Sequence, residues 1–452
     1  MNPMGKFHLY FERKGLSSAP GLLTSPPAMR STSFWKVGHW PTLLGAFLYF
    51  DISFMVWVLL AALGNYIAAE FGLSPAQKGL MTALPLLGGA LLRLVLGQLT
   101  DSIGPRKTAV LGISFTALPL CLGWLWADSL AQIYLIGLLL GVAGASFAAA
   151  LPLASQWYPP RYQGLVMGIA GAGNSGTLLA TLFAPRLAES FGWRAVFGLA
   201  LIPLAAMFLV FLACTREAPQ TLRRRKTLGD FLRVLRHSDT WRFCYFYAIT
   251  FGGFVGLASF LSIFLHDQFG VSRVRAGDLT SLCVLFGSLL RPIGGFLSDR
   301  LGGLRMLTIL YTSIAALLVG LTQASTVAVA TVLLVLTMAC LGMGNGAVFQ
   351  LVPLRFGGHI GAATGILGAA GGLGGFLLPN LMGTARQLWE SYAFGLAAFA
   401  LLSLGALLAL LRARGRWIGH WIAEHGRALP SGPPTPLMPA PEPTRACAEV
   451  VR

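Results

Sequence analysis

Twelve apolar runs, each close to the roughly 20 residues that cross a bilayer as a helix, leave this chain few folds to choose from. They cover about residues 41–67, 80–100, 108–127, 130–154, 164–188 and 194–214, then 241–265, 276–298, 305–323, 327–351, 360–384 and 390–411. Lipid offers backbone groups no partners, so such runs pair their own N–H and C=O groups as helices. Of 452 residues only 11% are charged and 55% are hydrophobic, whereas soluble domains carry about 25% charged residues. The expected class is therefore an all-α integral membrane protein of twelve transmembrane helices.

The basic residues orient it. With both termini in the cytoplasm, the outside loops hold Lys78, Arg186, Arg194, Arg273, Arg275 and Arg386, two arginines lie in the membrane, and the rest of the 33 basic residues fall inside. That satisfies the positive-inside rule. The net charge of +17 marks cytoplasmic loops and does not call for nucleic acid. The expected organisation is an N-terminal extension at 1–40, a six-helix bundle at 41–214, a basic linker at 215–240, a second six-helix bundle at 241–411 and a proline-rich tail at 412–452. The extension has no continuous apolar core and is not a signal peptide; Met29 is an alternative start. Extension and tail (LPSGPPTPLMPAPEP) both read as disordered. The six cysteines, Cys121, Cys214, Cys244, Cys283, Cys340 and Cys447, form no CxxC pair and read as small buried hydrophobes. No HExxH, no His/Cys cluster and no paired carboxylates suggest an enzyme, a metal or a cofactor.

The two halves are copies. Leu91 to Lys107 reads LLRLVLGQLTDSIGPRK and Leu289 to Arg305 reads LLRPIGGFLSDRLGGLR. Arg93 matches Arg291, Gly97 matches Gly295, Asp101 matches Asp299 and Gly104 matches Gly302, all 198 positions apart. Parallel six-helix halves that hold a substrate between them near the midplane are a transporter architecture.

Each arginine lies eight residues from its edge aspartate, about 12 Å at 1.5 Å per residue. That is too deep to snorkel fully. A central arginine costs about 2.5–3.5 kcal/mol on insertion scales, and Asp51 is the one carboxylate placed well inside a run. The economical counterion is the cargo: two planar guanidiniums facing each other suit a small planar oxyanion held by bidentate hydrogen bonds. The alternative is structural, with both arginines bonded to backbone carbonyls. Asp101 and Asp299, beside basic residues at the edge, suit a salt-bridged latch or, more simply, a tight turn.

GAGNSG, Gly171 to Gly176, formally matches a dinucleotide loop but sits within an apolar run with no preceding strand. In a span such glycines let helices pack closely. Gly171, Gly173 and Gly176 fall opposite Ala369, Gly371 and Gly374 of GAAGGLGG at the same offset. Together with Gly372 they are the expected packing and sliding faces. Asn174 adds an amide able to donate to an anion.

GAGNSG followed by Pro185, the second glycine-rich span ending in Pro379, and the paired arginines resemble the nitrate/nitrite porter family (NarK-type) of the major facilitator superfamily. The likeness extends over about 41–411, and the edge motifs resemble that superfamily's loop signature. The resemblance implies a major facilitator fold in which Arg93 and Arg291 hold nitrate or nitrite. It places Phe147 (in GASFA) beside the anion, with Tyr247 and Phe251 (in YAITF) on one helix face. It makes Asn174 the signature asparagine and Asn345 and Gln350 (in GNGAVFQLVP) pore-lining. On residues alone, Phe147 and Phe251 also fit plain packing.

Asp51 is open to two readings. A buried carboxylate can carry a proton, which points to nitrate/proton symport. Held instead by neighbouring hydroxyls or paired to an arginine, it leaves nitrate/nitrite exchange. The expectation is a monomeric secondary transporter of nitrate, nitrite or both in the cytoplasmic membrane. The alternatives are a porter for a small carboxylate and a non-transporting anion sensor.

Overall fold

The computed structural model describes residues 37–159, 163–218, 228–356 and 359–427. Nearly all of the N-terminal extension, the basic run at 223–226 and the tail from 428 lie outside the described residues. Twelve helices among the described residues are long and apolar enough to cross a membrane. The first six are α1 (Trp40–Trp57), α2 (Pro75–Ile103), α3 (Pro105–Leu125), α4 (Leu130–Ser155), α5 (Val166–Phe191) and α6 (Trp193–Cys214). The second six are α7 (Ser238–Phe269), α8 (Arg273–Leu301), α9 (Gly303–Thr322), α10 (Val327–Phe356), α11 (Ala362–Trp389) and α12 (Ala393–Trp417). Beyond Trp57 the first span continues as two short helices, Leu59–Ala62 and Gly64–Phe71, offset at Val58 and Leu63.

The duplication is visible in the turns. α2 and α8 each have 29 residues and begin after equivalent serine caps, Ser74 and Ser272, whose hydroxyls accept from Gln77 N–H and Arg275 N–H. Positive φ recurs at the 198 offset: Gly72 (61°) with Gly270 (65°), Gly104 (102°) with Gly302 (93°), and Gly192 (80°) with Glu390 (52°). Gly104 and Gly302 are the whole connection between consecutive spans, a sharp reversal that a Cβ would strain. At Glu390 the strained residue is no longer glycine, and the Arg386 guanidinium donates to its carbonyl.

The helices overrun the apolar runs. α2 starts at Pro75 and not near 80 because the Ser74–Gln77 capping box supplies partners for the first free N–H groups; hydropathy locates the lipid, capping locates the helix. α7 likewise starts at Ser238, which places Asp239 inside the fold. Its buried carboxylate accepts from Arg242 (2.5 Å), Arg355 (2.7 Å) and Trp417 Nε1 (2.9 Å), tying the start of α7 to the ends of α10 and α12. Arg355 also donates to His237 Nε2 at 2.6 Å. Burial first, then the Arg355 cation, pushes the His237 pKa below its ordinary value.

On the opposite face the two halves close on each other. A Cβ at Gly79 of α2 would lie 2.5 Å from Pro379 O of α11, and one at Gly277 of α8 would lie 2.6 Å from Thr181 O of α5. These contacts are equivalent under the repeat. Around them Asn65 Nδ2 donates to Ser262 O (3.0 Å), Thr181 and Ser281 share a hydrogen bond (2.7 Å), Lys78 pairs with Asp267 (2.7 Å) and Arg186 with Asp278 (2.6 Å).

Candidate functional site

The site lies at mid-depth where α2, α4, α7, α8 and α11 meet. Arg93 on α2 is 2% exposed. Its Nη1 donates to Gly368 O of α11 (2.6 Å) and its Nη2 to Gly144 O of α4 (2.8 Å), so one guanidinium bridges both halves. Its Nε has no partner. The cation sits over the Phe147 ring (5.4 Å) and the Phe251 ring (5.6 Å), distances at which a ring quadrupole attracts a cation. Arg291 is half-buried; its Nη1 has no partner, and it lies within hydrogen-bonding reach of the Tyr247 hydroxyl. Arg93, Arg291 and Tyr247 are close enough to interact electrostatically. Among the described residues neither arginine has a carboxylate partner.

Local structure explains the placement. Tyr247 ends the regular part of α7, which then widens to a π turn over Ala248–Gly252. Such turns re-aim side chains. Tyr247 and Phe251 stack at 5.0 Å and 5°, and Phe349 of α10 meets Tyr247 edge-on at 5.1 Å. α11 makes room with its glycines. A Cβ at Gly371 would lie 2.8 Å from both the Tyr247 and Phe251 rings, one at Gly372 2.8 Å from Ala90, and one at Gly368 3.0 Å from Arg93 Cδ. A Cβ at Gly374 would overlap the Ala248 carbonyl.

In the first half the break falls in α5. Its AGNS segment, Ala172–Ser175, is a 3-10 turn packed against α1 and α8. Ser175 Oγ donates to Asp51 Oδ1 (2.6 Å), and the Gly176 N–H lies within reach of the same carboxylate. A Cβ at Gly173 would press on Phe50, and one at Gly176 would overlap the Asp51 carbonyl. Gly171 differs: a Cβ there meets nothing within 4 Å, so no close approach requires this glycine. Asn174 is 2% exposed and its Oδ1 has no partner.

Arg93, Arg291, Phe147, Tyr247 and Phe251 thus come together, and the turn carrying Asn174 reaches α8. Asn345 on α10 is 1% exposed with an unpartnered Oδ1. Gln350 lies apart, its Oε1 beside Gly303 at the start of α9. Asp101 is partly buried and Asp299 exposed, at the ends of α2 and α8. The nearby motif residue Arg106 donates to the Thr215 and Leu212 carbonyls (3.0 and 3.2 Å), so the α2–α3 turn is fastened to the end of α6 by backbone acceptors. Pattern reading missed Gly144, Gly368, Ser175 and Phe349. All four stood inside quoted motifs; the first two act through carbonyls, which leave no side-chain signal.

Twelve spanning helices in two related halves, closed on one face, with a cationic aromatic site between them, define a membrane transporter of the secondary type rather than an enzyme. Residues 45–379 match the Major Facilitator Superfamily. The nitrite extrusion protein of Bacillus subtilis (strain 168) is 36% identical over 79% of this chain and 90% of its own length. A Thermus thermophilus protein named "Probable nitrate/nitrite antiporter NarK1" is 34% identical over 76% of this chain and 84% of its own. Among solved structures, the human organic anion transporter MFSD10 (TETRAN) superposes with a TM-score of 0.64 at 17% identity, covering 85% of this chain and 100% of that one; this likeness speaks to the fold. The chain belongs to the Major Facilitator Superfamily and, within it, to the nitrate/nitrite porter family.

Proposed function

We propose that this chain carries nitrate and nitrite across the cytoplasmic membrane by alternating access, with the anion held between Arg93 and Arg291. The observation that carries the reading is the pair itself: two repeat-related guanidiniums, close enough to repel, with no carboxylate partner among the described residues and with Arg93 Nε and Arg291 Nη1 unpartnered. Buried donors without acceptors are costly. A small anion entering between them satisfies both and cancels their repulsion. Phe147, Phe251 and Tyr247 form walls suited to a flat, weakly hydrated oxyanion. Asn174, on its turn, adds a neutral donor.

With the termini in the cytoplasm, as the positive-inside bias favours, the closed face is the outer one and the arrangement is an inward-directed state. Transport then requires the outer bridges to part while the inner ends approach. Arg93, bonded to both halves, is the pivot of that movement.

Counterflow in proteoliposomes tests the reading. Vesicles loaded with nitrite should accumulate external nitrate, and Arg93→Lys together with Arg291→Lys should abolish this, because an ammonium cannot reproduce the guanidinium fork. Nitrate affinity unchanged in that double variant would defeat the bidentate reading. Stronger competition by acetate than by nitrite would make the chain a carboxylate porter.

A further inference from the structure

We infer that Asp51 is a positioning residue. Its carboxylate pins the 3-10 turn of α5 so that Asn174 is held at the anion site, and it does not carry transported protons. The inference rests on the reading that Asn174 contacts the anion.

Three observations carry it. First, the carboxylate is engaged: it accepts from the Ser175 hydroxyl at 2.6 Å and lies within reach of the Gly176 N–H. Among the described residues no lysine, arginine or histidine pairs with it. These two donors flank the point where the turn Ala172–Ser175 hands over to the helix beginning at Gly176. The Gly176 N–H also donates within the turn, to Gly173 O and Asn174 O, and a carboxylate from a neighbouring helix adds a strong acceptor at the same point. Asp51 thus fastens the turn from α1 through the Ser175 hydroxyl and this N–H.

Second, the surroundings are built to bring α1 this close. Gly173 and Gly176 have no room for a Cβ against Phe50 and the Asp51 backbone. Phe50 in turn packs on Phe147 at 5.7 Å, the ring beneath Arg93. The contact therefore fixes two site elements together, the Asn174 turn and the Phe147 wall.

Third, the repeat supplies an internal control. Asp51 and Ser175 correspond to Ile249 and Leu373 at the 198 offset. In the second half α11 runs unbroken over Ala362–Trp389 and has no turn to fasten. The carboxylate and its hydroxyl partner occur together, in the half where the glycine-rich fifth helix breaks; the second half is irregular instead in α7, at Ala248–Gly252.

The test separates fastening from protonation. Asparagine keeps the acceptor oxygen but cannot carry a proton; leucine keeps the volume but cannot accept. Asp51→Asn should hold nitrate uptake within about two-fold of the parent because the acceptor survives, with an unchanged response to an imposed pH gradient at clamped voltage. Asp51→Leu should raise the nitrate KM about ten-fold, as loss of a charge-assisted acceptor implies. Its effect should not add to that of Asn174→Ala, since both remove the same contact. Should Asp51→Leu fail to fold, Ser175→Ala replaces it in the cycle with a smaller rise of the same kind. Loss of gradient-driven uptake in Asp51→Asn with exchange intact would overturn the inference in favour of proton coupling. Full additivity with Asn174→Ala would overturn it in favour of independent sites. If Asn174→Ala alone leaves KM unchanged, the reading of Asn174 fails, and the positioning role fails with it.

Discussion

Arg93 and Arg291 occupy the same place in two copies of one 29-residue helix, yet they are held differently. Arg93 is anchored by two backbone carbonyls, one from each half, and lies over two aromatic rings. Arg291 is half-buried, bonds to neither of the equivalent carbonyls at Gly342 and Ala170, and leans on Tyr247. The other site residues have unlike counterparts at the 198 offset: Asn345 for Phe147, Ser53 for Phe251, Gly372 for Asn174. Tyr49, the counterpart of Tyr247, is turned elsewhere, edge-on to Phe211 at 5.6 Å. Duplication supplied a matched pair of cations. Divergence around them made one asymmetric pocket instead of two equal half-sites, with charge shared and shape assigned to one side or the other.

Removing either charge is the harshest way to break that comparison. Arg93→Ala and Arg291→Ala should each lower nitrate uptake by about 100-fold, the loss of one or two hydrogen bonds to a charged group. They should differ in stability. Arg93→Ala also strands the Gly144 and Gly368 carbonyls, so purified protein in detergent should melt several degrees lower than Arg291→Ala. Equal melting temperatures would mean that the carbonyl bonds contribute nothing to holding the halves.

The glycines sharpen the comparison next. Gly176→Ala places a methyl on the Asp51 carbonyl and should destabilise by about 1–3 kcal/mol, the usual cost of overpacking, read as lost folded yield and a lower melting temperature. Gly171→Ala, earlier in the same motif, adds a methyl that meets nothing within 4 Å and should leave both unchanged. Tyr247→Phe removes a hydroxyl beside Arg291 and should raise the nitrate KM by about three- to ten-fold. Tyr49→Phe, in the other half, removes a buried hydroxyl without a partner and should leave KM where it is. A matching rise in both would show that the two halves contribute equally after all.

Different parts of this molecule were legible to different degrees. The twelve spans and their repeat follow from apolar run length and a single offset, because lipid forces helices and duplication copies the caps along with the cores. The pair Arg93 and Arg291 was legible in the repeat itself, whereas Phe147, Tyr247 and Phe251 were legible through family resemblance, since residues spread over four helices share no periodicity. The helices extend past the apolar runs at Pro75 and Ser238, where capping outruns hydropathy. The breaks at Ala172–Ser175 and Ala248–Gly252 were not foreseen: a helix irregularity depends on the neighbour it accommodates, and AGNS and AITFG do not name that neighbour. For the same reason the sequence leaves Asp51 open between proton carrier and hydroxyl partner, and its bond to Ser175 is visible only where α1 and α5 cross at Gly176.

The smallest effects belong to the closure at the starts of α2 and α8, where two ion pairs join the halves without being equivalent under the repeat. Arg186–Asp278 has the better geometry, two contacts at 2.6 and 3.0 Å, but its side chains are 43% and 38% exposed. Lys78–Asp267 makes one contact at 2.7 Å with side chains only 18% and 19% exposed, and Asp267 also accepts from the Tyr392 hydroxyl at 3.1 Å. Exposed pairs contribute about 0–1 kcal/mol because water and salt screen them, and less-exposed ones are screened less. Burial should therefore outweigh fork geometry here. Asp267→Asn should raise the fraction of outward-open protein more than Asp278→Asn does, read by external alkylation of Ser281→Cys, which lies buried between the halves, in a background without native cysteines. Raising the salt to about 1 M, where the screening length falls to about 3 Å, should erase the Asp278→Asn effect and spare most of the other. A larger shift from Asp278→Asn would make the bidentate fork, not the drier pair, the clasp of the outer gate.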